Sequence, residues 1–452
     1  MVGTPGMERI AILAGGGRLP LLLADSIAER GGRAHIVAVR GEAGPEVEAY
    51  PHSWVTWGAV NAILGTLKRE SNGTMMIAGS VSRPDLRRLK PDFGLIRYLP
   101  DVLAMLRGGD DAVLTRLIRF FEAQGLTVKG VADVAPQLLA DVGMAGAEPH
   151  FEKQAADDTE LGFQVLDALA DLDIGQAIAV EGGRILAIEG VEGTDRMLAR
   201  ISTLPGRAGP GGVVVKGPKS GQDMRVDMPT VGAQTVVALS QARIGALVIV
   251  AGKTLLLERA EMLRRAEEFA IKIHCIERGP TLLDIDAAKQ RRRRALAQAR
   301  AGTMLGRLAP NTADSRDART AAEVTQRLAR FATGRAAAVV RDHVLGVAAA
   351  EGPVAMAQRV AVLRQWGRKR SRRGAAAILF DSAIDDPESV TAMIEALDGA
   401  GLAGVVVVRA RSARATQSTV VVPATAVAAA DKLKLFLVEV NADEVPPDVE
   451  TA

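Results

Sequence analysis

The chain has 452 residues, 48% of them apolar and 24% charged, with a formal net charge of +3. That length accommodates two to four domains with their own cores, and so small a net charge gives no argument for nucleic acid. One cysteine, Cys275, excludes a disulfide framework, and five scattered histidines without ligand spacing argue against zinc. No uninterrupted apolar run is long enough to span a membrane, and Met1 to Arg9 lacks the apolar stretch of a signal peptide.

Arg9–Ala14 predicts a strand, Gly15-Gly-Gly17 a tight turn, and Pro20 the start of a helix running to about Glu29. A second strand follows at His35–Val39. This strand–turn–helix–strand unit is the opening of a doubly wound, Rossmann-like sheet. The turn departs from a dinucleotide fingerprint, because Pro20 stands at the third glycine position and Arg40, not an acid, ends the second strand. A phosphate or polar ligand at Gly15, Gly16 and Gly17 stays open. Thr74–Ala78 is another strand, and Ser80, Ser82 and Arg83 lie at its carboxyl end, where open parallel sheets bind ligands. The same residues would serve equally as loop caps. Asp110 or Asp111 is expected to cap the helix after Gly108-Gly109.

Further on, a helical pattern covers Asp158–Leu172, and strands Ala177–Val180 and Arg184–Ile188 turn at Gly182-Gly183. Thr194 or Asp195 is expected to cap a helix continuing from Arg196. Val213–Val215 reads as a buried strand. The loop from Lys216 to Met228 then gathers Lys216, Lys219, Asp223, Arg225 and Asp227. Pro229 suits the first turn of a helix running to about Arg243, which would put Asp227 at a helix N-terminus favourable to anions. Cations, a positive helix end and two carboxylates on one loop suit a phosphate with a divalent metal, although a solvated connector has a similar composition. Strands Ala246–Val250 and Thr254–Leu257, a helix from Ala260 and a strand Ala270–Ile276 holding a buried Cys275 complete the unit.

The order of patterns then returns. Gly175–Val180 matches Gly334–Val339, Ile185–Ile188 matches Val344–Val347, Glu192-Gly193 matches Glu351-Gly352, and Ala270–Glu277 matches Leu433–Val440. Thr194 and Asp195 become Pro353 and Val354, and the lysine-bearing loop shortens to Phe380–Pro387, where Asp385-Asp-Pro387 stands for Asp227-Met-Pro229. The fold class is therefore α/β: an N-terminal Rossmann-like parallel-sheet domain (7–135), a linker (136–150), an α/β C-terminal domain (151–278), a basic helix and linker (279–330), a degenerate second copy (331–441) and a tail (442–452). Arg291–Arg294 and the arginine-rich stretch Arg364–Arg373 read as solvated faces, with an anionic membrane surface as the alternative.

Leu13–Pro20, Ala78–Asp85, Gly109–Asp111, Leu172–Gln176, Glu192–Asp195, and Lys216–Lys219 with Gln222–Gly232 together resemble the LpxI-type UDP-2,3-diacylglucosamine pyrophosphatases of lipid A biosynthesis. The resemblance covers residues 7–278. It implies two domains with an acyl-sugar phosphate held between them, and Mg²⁺-dependent hydrolysis of a lipid-linked UDP-sugar to lipid X and UMP. It also implies a cytoplasmic protein with peripheral inner-membrane contact or homodimer formation left open. In that family the aspartate matched by Asp227 is essential. The two readings together make Asp227, Asp223, Arg225, Lys216 and Lys219 the catalytic candidates. Gly15, Gly16, Gly17, Ser80, Ser82, Arg83, Asp110, Asp111, Gln176, Thr194 and Thr230 are the substrate contacts, and Asp227 and Asp195 the Mg²⁺ ligands. The extra copy is expected to cover acyl chains, mediate dimer contacts or meet the membrane. A lipid X or UDP-sugar carrier without turnover, a dinucleotide enzyme and a nucleotidyl- or sugar-transferase are the competing functions.

Overall fold

The computed structural model describes residues 8–81, 97–99, 110–142, 153–172, 174–207, 209–219, 222–279, 285–298, 302–363, 372–381, 385–409 and 422–445. They form two compact units. The first takes residues up to Asp141 together with Gln222–Gly232 and Ala251–Arg259; the second takes Val142–Gly221, Ala233–Val250 and everything from Ala260 onward.

In the first unit, β1 (Arg9–Ala14), α1 (Leu19–Glu29), β2 (Arg33–Val39), β3 (His52–Val55), α2 (Val60–Glu70), β4 (Thr74–Ala78), α3 (Asp110–Ala123) and β5 (Thr127–Val128) follow one another. The strands form an all-parallel sheet in the order β3-β2-β1-β4-β5. Continuous apolar runs such as Ile10-Ala-Ile-Leu-Ala14 suit a sheet covered on both faces, and cores do lie on both. Ile10, Ile12 and Met76 belong to one, Ala11, Leu13 and Met75 to the other. Strand order reverses between β1 and β4, so the crevice expected of a doubly wound sheet lies after Ala14 and Ala78.

The second unit contains one architecture twice. The first copy runs α4 (Lys153–Ala168), β6 (Ala177–Glu181), β7 (Arg184–Ile188), α5 (Thr194–Ile201), β8 (Val213–Lys216), then β9 (Thr230–Gly232), α6 (Ala233–Gln241), β10 (Ala246–Val250), β11 (Leu255–Leu257), α7 (Arg259–Glu268) and β12 (Lys272–Ile276). Its sheet is ordered β12-β10-β8-β6-β7, while β9 and β11 pair with each other within the first unit. After α8 (Ile285–Gln298) the second copy follows as β13 (Thr303–Met304), α9 (Thr312–Ala329), β14 (Ala336–Val340), β15 (His343–Val347), α10 (Gly352–Leu363), β16 (Ala375–Phe380), α11 (Glu388–Ala396), β17 (Gly404–Arg409), α12 (Ala424–Leu433) and β18 (Phe436–Asn441). Its sheet order, β18-β17-β16-β14-β15 with β13 added beside β18, reproduces the first.

Two sequence expectations change here. Pro229 does not open a helix: its carbonyl accepts Leu255 N at 2.8 Å, which draws Thr230–Gly232 into parallel pairing with β11, and the helix starts at Ala233. Asp227 is therefore not at a helix mouth. The second copy also reaches back before residue 331. Helix α9 is buried along most of its length and occupies the place of α4, while β13 adds to the sheet.

Candidate active-site residues

The segment Gln222–Gly232 leaves the second unit and is held by the first. Met224 and Met228 pack on the core of Ile10 and Met76, while Val226 packs on the core of Leu13 and Met75. Polar bonds fix the same loop. Asp223 Oδ1 accepts Arg225 N (3.1 Å) and Nε (2.9 Å), Oδ2 accepts Nη2 (2.8 Å), and Nη1 reaches Glu122 at 2.7 Å. The hydrogen bonds from Arg225 hold the Asp223 carboxyl below the usual carboxylate range, and Asp223, then Glu122, hold the guanidinium firmly protonated. A Cβ on Gly130 would stand 2.9 Å from Arg225 Cα, so the loop lies directly on that backbone. Asp223 and Arg225 thus brace one another. Asp227, between a partly buried Val226 and a buried Met228, is different: among the described residues its carboxylate has no hydrogen-bond or ion-pair partner.

On the second unit, Lys216 ends β8 and is only 5% exposed. Its Nζ donates to Thr194 Oγ1 (3.0 Å), the Thr194 hydroxyl donates to Glu189 Oε1 (2.9 Å), and Glu189 Oε2 accepts the Gln176 amide (2.8 Å). The Thr194 hydroxyl links a buried ammonium to a buried carboxylate, with Glu189 also 5% exposed, and so helps to offset the cost of burying both. Thr194 is consequently not a helix cap. Gly193 takes that position without a side-chain bond, and Thr194 is the first helical residue. Gln176 Oε1 is buried and has no hydrogen-bond partner among the described residues. Gln176 and Lys219 line one small recess with Gly217 and Arg278, and the Arg278 guanidinium lies 4.5 Å from the Phe163 ring centre. Asp195 is exposed and has no partner among the described residues. Glu189 and Arg278 were missed in the sequence. The signal for Glu189 was an acid closing the apolar run Ile185–Ile188.

The glycine turn sits at the reversal of strand order. Gly16 N donates to Ser80 O (2.7 Å) and Ser80 N to Gly16 O (2.9 Å), which bridges the ends of β1 and β4. A Cβ on Gly15 would meet Ser80 O at 2.2 Å, so only glycine permits this approach. Gly17 takes φ of +88° and opens the way to Arg18 and α1. Asp110 and Asp111 begin α3. Ser82 and Arg83 lie outside the described residues. Thr230 Oγ1 donates to the carbonyl of Met228 (3.0 Å) and so stiffens the exit of the Asp227 loop.

The LpxI N-terminal domain model matches residues 9–138, and the LpxI C-terminal domain model matches twice, at 143–274 and 301–438. The chain belongs to the LpxI family. The UDP-2,3-diacylglucosamine pyrophosphatase LpxI of Caulobacter vibrioides is 36% identical over 272 residues, which is 59% of this chain and 96% of that protein. A relative of the LpxI family is thus accounted for almost end to end by little more than half of this chain. The remainder is the second C-terminal copy. Of the residues singled out in the sequence, the first unit holds Gly15, Gly16, Gly17, Ser80, Asp223, Arg225, Asp227 and Thr230, and the second holds Gln176, Thr194, Asp195, Lys216 and Lys219.

Proposed function

We propose that this chain hydrolyses the pyrophosphate of UDP-2,3-diacylglucosamine, releasing 2,3-diacylglucosamine 1-phosphate (lipid X) and UMP with the help of Mg²⁺. The observation that carries this reading is Asp227, whose carboxylate has no partner among the described residues although its loop is fixed by two cores and the Asp223–Arg225–Glu122 brace. A carboxylate held in place and left without a protein partner is suited to a metal or a water. Mg²⁺ takes one or two carboxylates and completes its shell with water and substrate phosphate oxygens, so the carboxylate of Asp227, with no partner among the described residues, fits it on the first unit, and that of Asp195 offers the same chemistry on the second. When bound, the ion supplies charge neutralisation at the phosphoryl oxygens.

The remaining steps fall to side chains. Lys216 presents a positive charge whose hydrogen bond to Thr194 orients it, and Lys219 adds a second three residues further along the chain. Fixed charges of this kind stabilise the negative charge that builds on the phosphoryl oxygens without reorganising during the reaction. Gln176, its amide N–H held by Glu189, turns a side-chain carbonyl with no protein partner among the described residues toward substrate N–H or O–H groups. Arg225 acts through the loop: it holds Asp223 and so the backbone that carries Asp227.

The test is release of UMP and lipid X from UDP-2,3-diacylglucosamine with Mg²⁺ and with EDTA, by the parent and by Asp227→Ala. Metal-dependent release by the parent alone is expected. Tight lipid X binding with no release by the parent would replace the hydrolase by a carrier.

A further inference from the structure

The contact between the two C-terminal copies has the form of a subunit interface. Equivalent positions are separated by a constant 159 residues through the first hairpin and the following helix, as in Asp158/Asp317, Glu192/Glu351 and Arg200/Arg359. Within each copy the arginine binds its own glutamate (Arg200 to Glu192, 2.8 Å; Arg359 to Glu351, 2.9 Å) and the carbonyl closing its own hairpin (Ile188 O, 2.6 Å; Val347 O, 3.0 Å). The same groups then cross: Arg359 Nη1 lies 3.1 Å from Glu192, and Arg200 Nη1 lies 3.5 Å from Glu351. Reciprocal contact of this kind, residue i with j and j with i, is the signature of a two-fold isologous interface. One core continues across it, joining Val180, Val215 and Val248 of the first copy to Val339, Ala377 and Val406 of the second.

The symmetry is broken at Arg327. Buried Arg327 of α9 donates to Asp171 of the first copy (Nη1, 2.5 Å; Nη2, 3.2 Å) and to Ala168 O (3.2 Å). The position 159 residues before Arg327 is Ala168, which has no charge to offer. A pairing of two first copies would therefore leave a buried Asp171 facing alanine, which is costly for a desolvated carboxylate.

We propose that the second copy is a built-in dimer partner: it occupies the self-pairing face of the working copy, and the Arg327–Asp171 pair makes that face specific for the internal partner over another chain. The chain is accordingly a monomer with one working and one structural C-terminal domain. The site feels the partner directly, since Glu192, held by Arg359, lies two residues before Thr194.

Light scattering and sedimentation of the full chain over a wide concentration range test the monomeric state. One chain per particle throughout is expected; a stable two-chain particle overturns the proposal. That the second copy occupies the self-pairing face of the first is tested by melting. Glu192→Arg with Glu351→Arg places four arginines at the crossing and is expected to lower the melting temperature. Adding Arg200→Glu and Arg359→Glu reverses every pair and is expected to restore most of the loss. A double variant that melts like the parent, or a fourfold variant no better than the double, shows that the crossing does not hold the copies together. Neither measurement depends on the substrate.

Discussion

The two C-terminal copies keep the same strand order and hairpin clamp, and differ in what they place at the ends of the same strands. In both, an aspartate on the first helix accepts two turn amides: Asp158 takes Gly182 N and Gly183 N (2.8 and 2.7 Å), and Asp317 takes Arg341 N and Asp342 N (2.8 Å each). In both, the first strand pairs with the third in the same register, which sets Lys216 opposite Ala177 and Ile378 opposite Ala336. The residue after the hairpin donates its amide to the same strand carbonyl, Glu189 to Ala177 and Ala348 to Ala336. Read through these registers, the polar chain Lys216–Thr194–Glu189 of the first copy becomes Ile378, Pro353 and Ala348 in the second. The fold survives its removal. The architecture therefore rests on the clamp and the apolar strands and does not require the polar chain, which fits the proposed role of that chain in ligand chemistry.

The largest expected effect comes from moving one residue of the second copy into the first. Lys216→Ile should lower the rate of UMP release by about 10²–10³-fold, the usual cost of removing one fixed group that stabilises charge, while circular dichroism stays that of the parent. The clamps should behave alike. Asp158→Ala and Asp317→Ala each withdraw a buried carboxylate from two backbone amides and should cost about 2–4 kcal/mol in denaturant unfolding, and Asp317→Ala should leave turnover of the remaining folded chain unchanged. Gly15→Ala disturbs neither copy but drives a methyl into the Ser80 carbonyl, and should destabilise the first unit by about 1–3 kcal/mol.

The hairpin turns allow a gain of stability. Gly182 and Gly183 take φ of +59° and +77°, whereas the second copy holds Arg341 and Asp342 at +56° and +64°. Left-handed backbone costs a residue with a Cβ about 1 kcal/mol, so Arg341→Gly with Asp342→Gly should raise the melting temperature, with no such gain available in the first copy. The smallest effect is on pH dependence. Burial, with Lys272 next, pushes the His274 imidazole down, and the second copy has Val438 at that register. The folded protein then binds that proton less readily than the unfolded chain, so stability falls as pH drops below about 6.5. His274→Val should flatten the melting-temperature profile there, in part only, because burial lowers His35 as well.

Runs such as Ile10–Ala14 and Ala246–Val250 were legible because strands buried on both faces are continuously apolar, and the repeat was legible because those runs recur. Helix α9 was not. Its sequence looks like a polar linker, yet Asp314, Asp317, Thr320, Glu323 and Arg327 are all buried, each with a partner such as Gly374 N for Asp314 and Arg292 for Glu323. Polar satisfaction across distant segments leaves no local pattern. The same reason hid Glu189, whose partners Gln176 and Thr194 lie on either side of a hairpin. The excursion of Gln222–Gly232 into the first unit was also invisible, since a proline before Thr-Val-Gly serves a short strand as well as a helix start. At the candidate site, the Lys216–Asp227 stretch was found by its charges, but the division between the Asp223–Arg225 brace and an Asp227 carboxylate with no partner among the described residues required coordinates.

One measurement addresses the central claim, that the first copy carries chemistry which the second has shed. It is UMP release from UDP-2,3-diacylglucosamine by the parent and by the variant Glu189→Ala, Thr194→Pro, Lys216→Ile, with both melting curves recorded on the same preparations. The account predicts release by the parent, none above background by the variant, and closely similar melting, since an apolar set already fills these positions in the second copy. A variant that melts like the parent and still releases UMP at the parent's rate would contradict it.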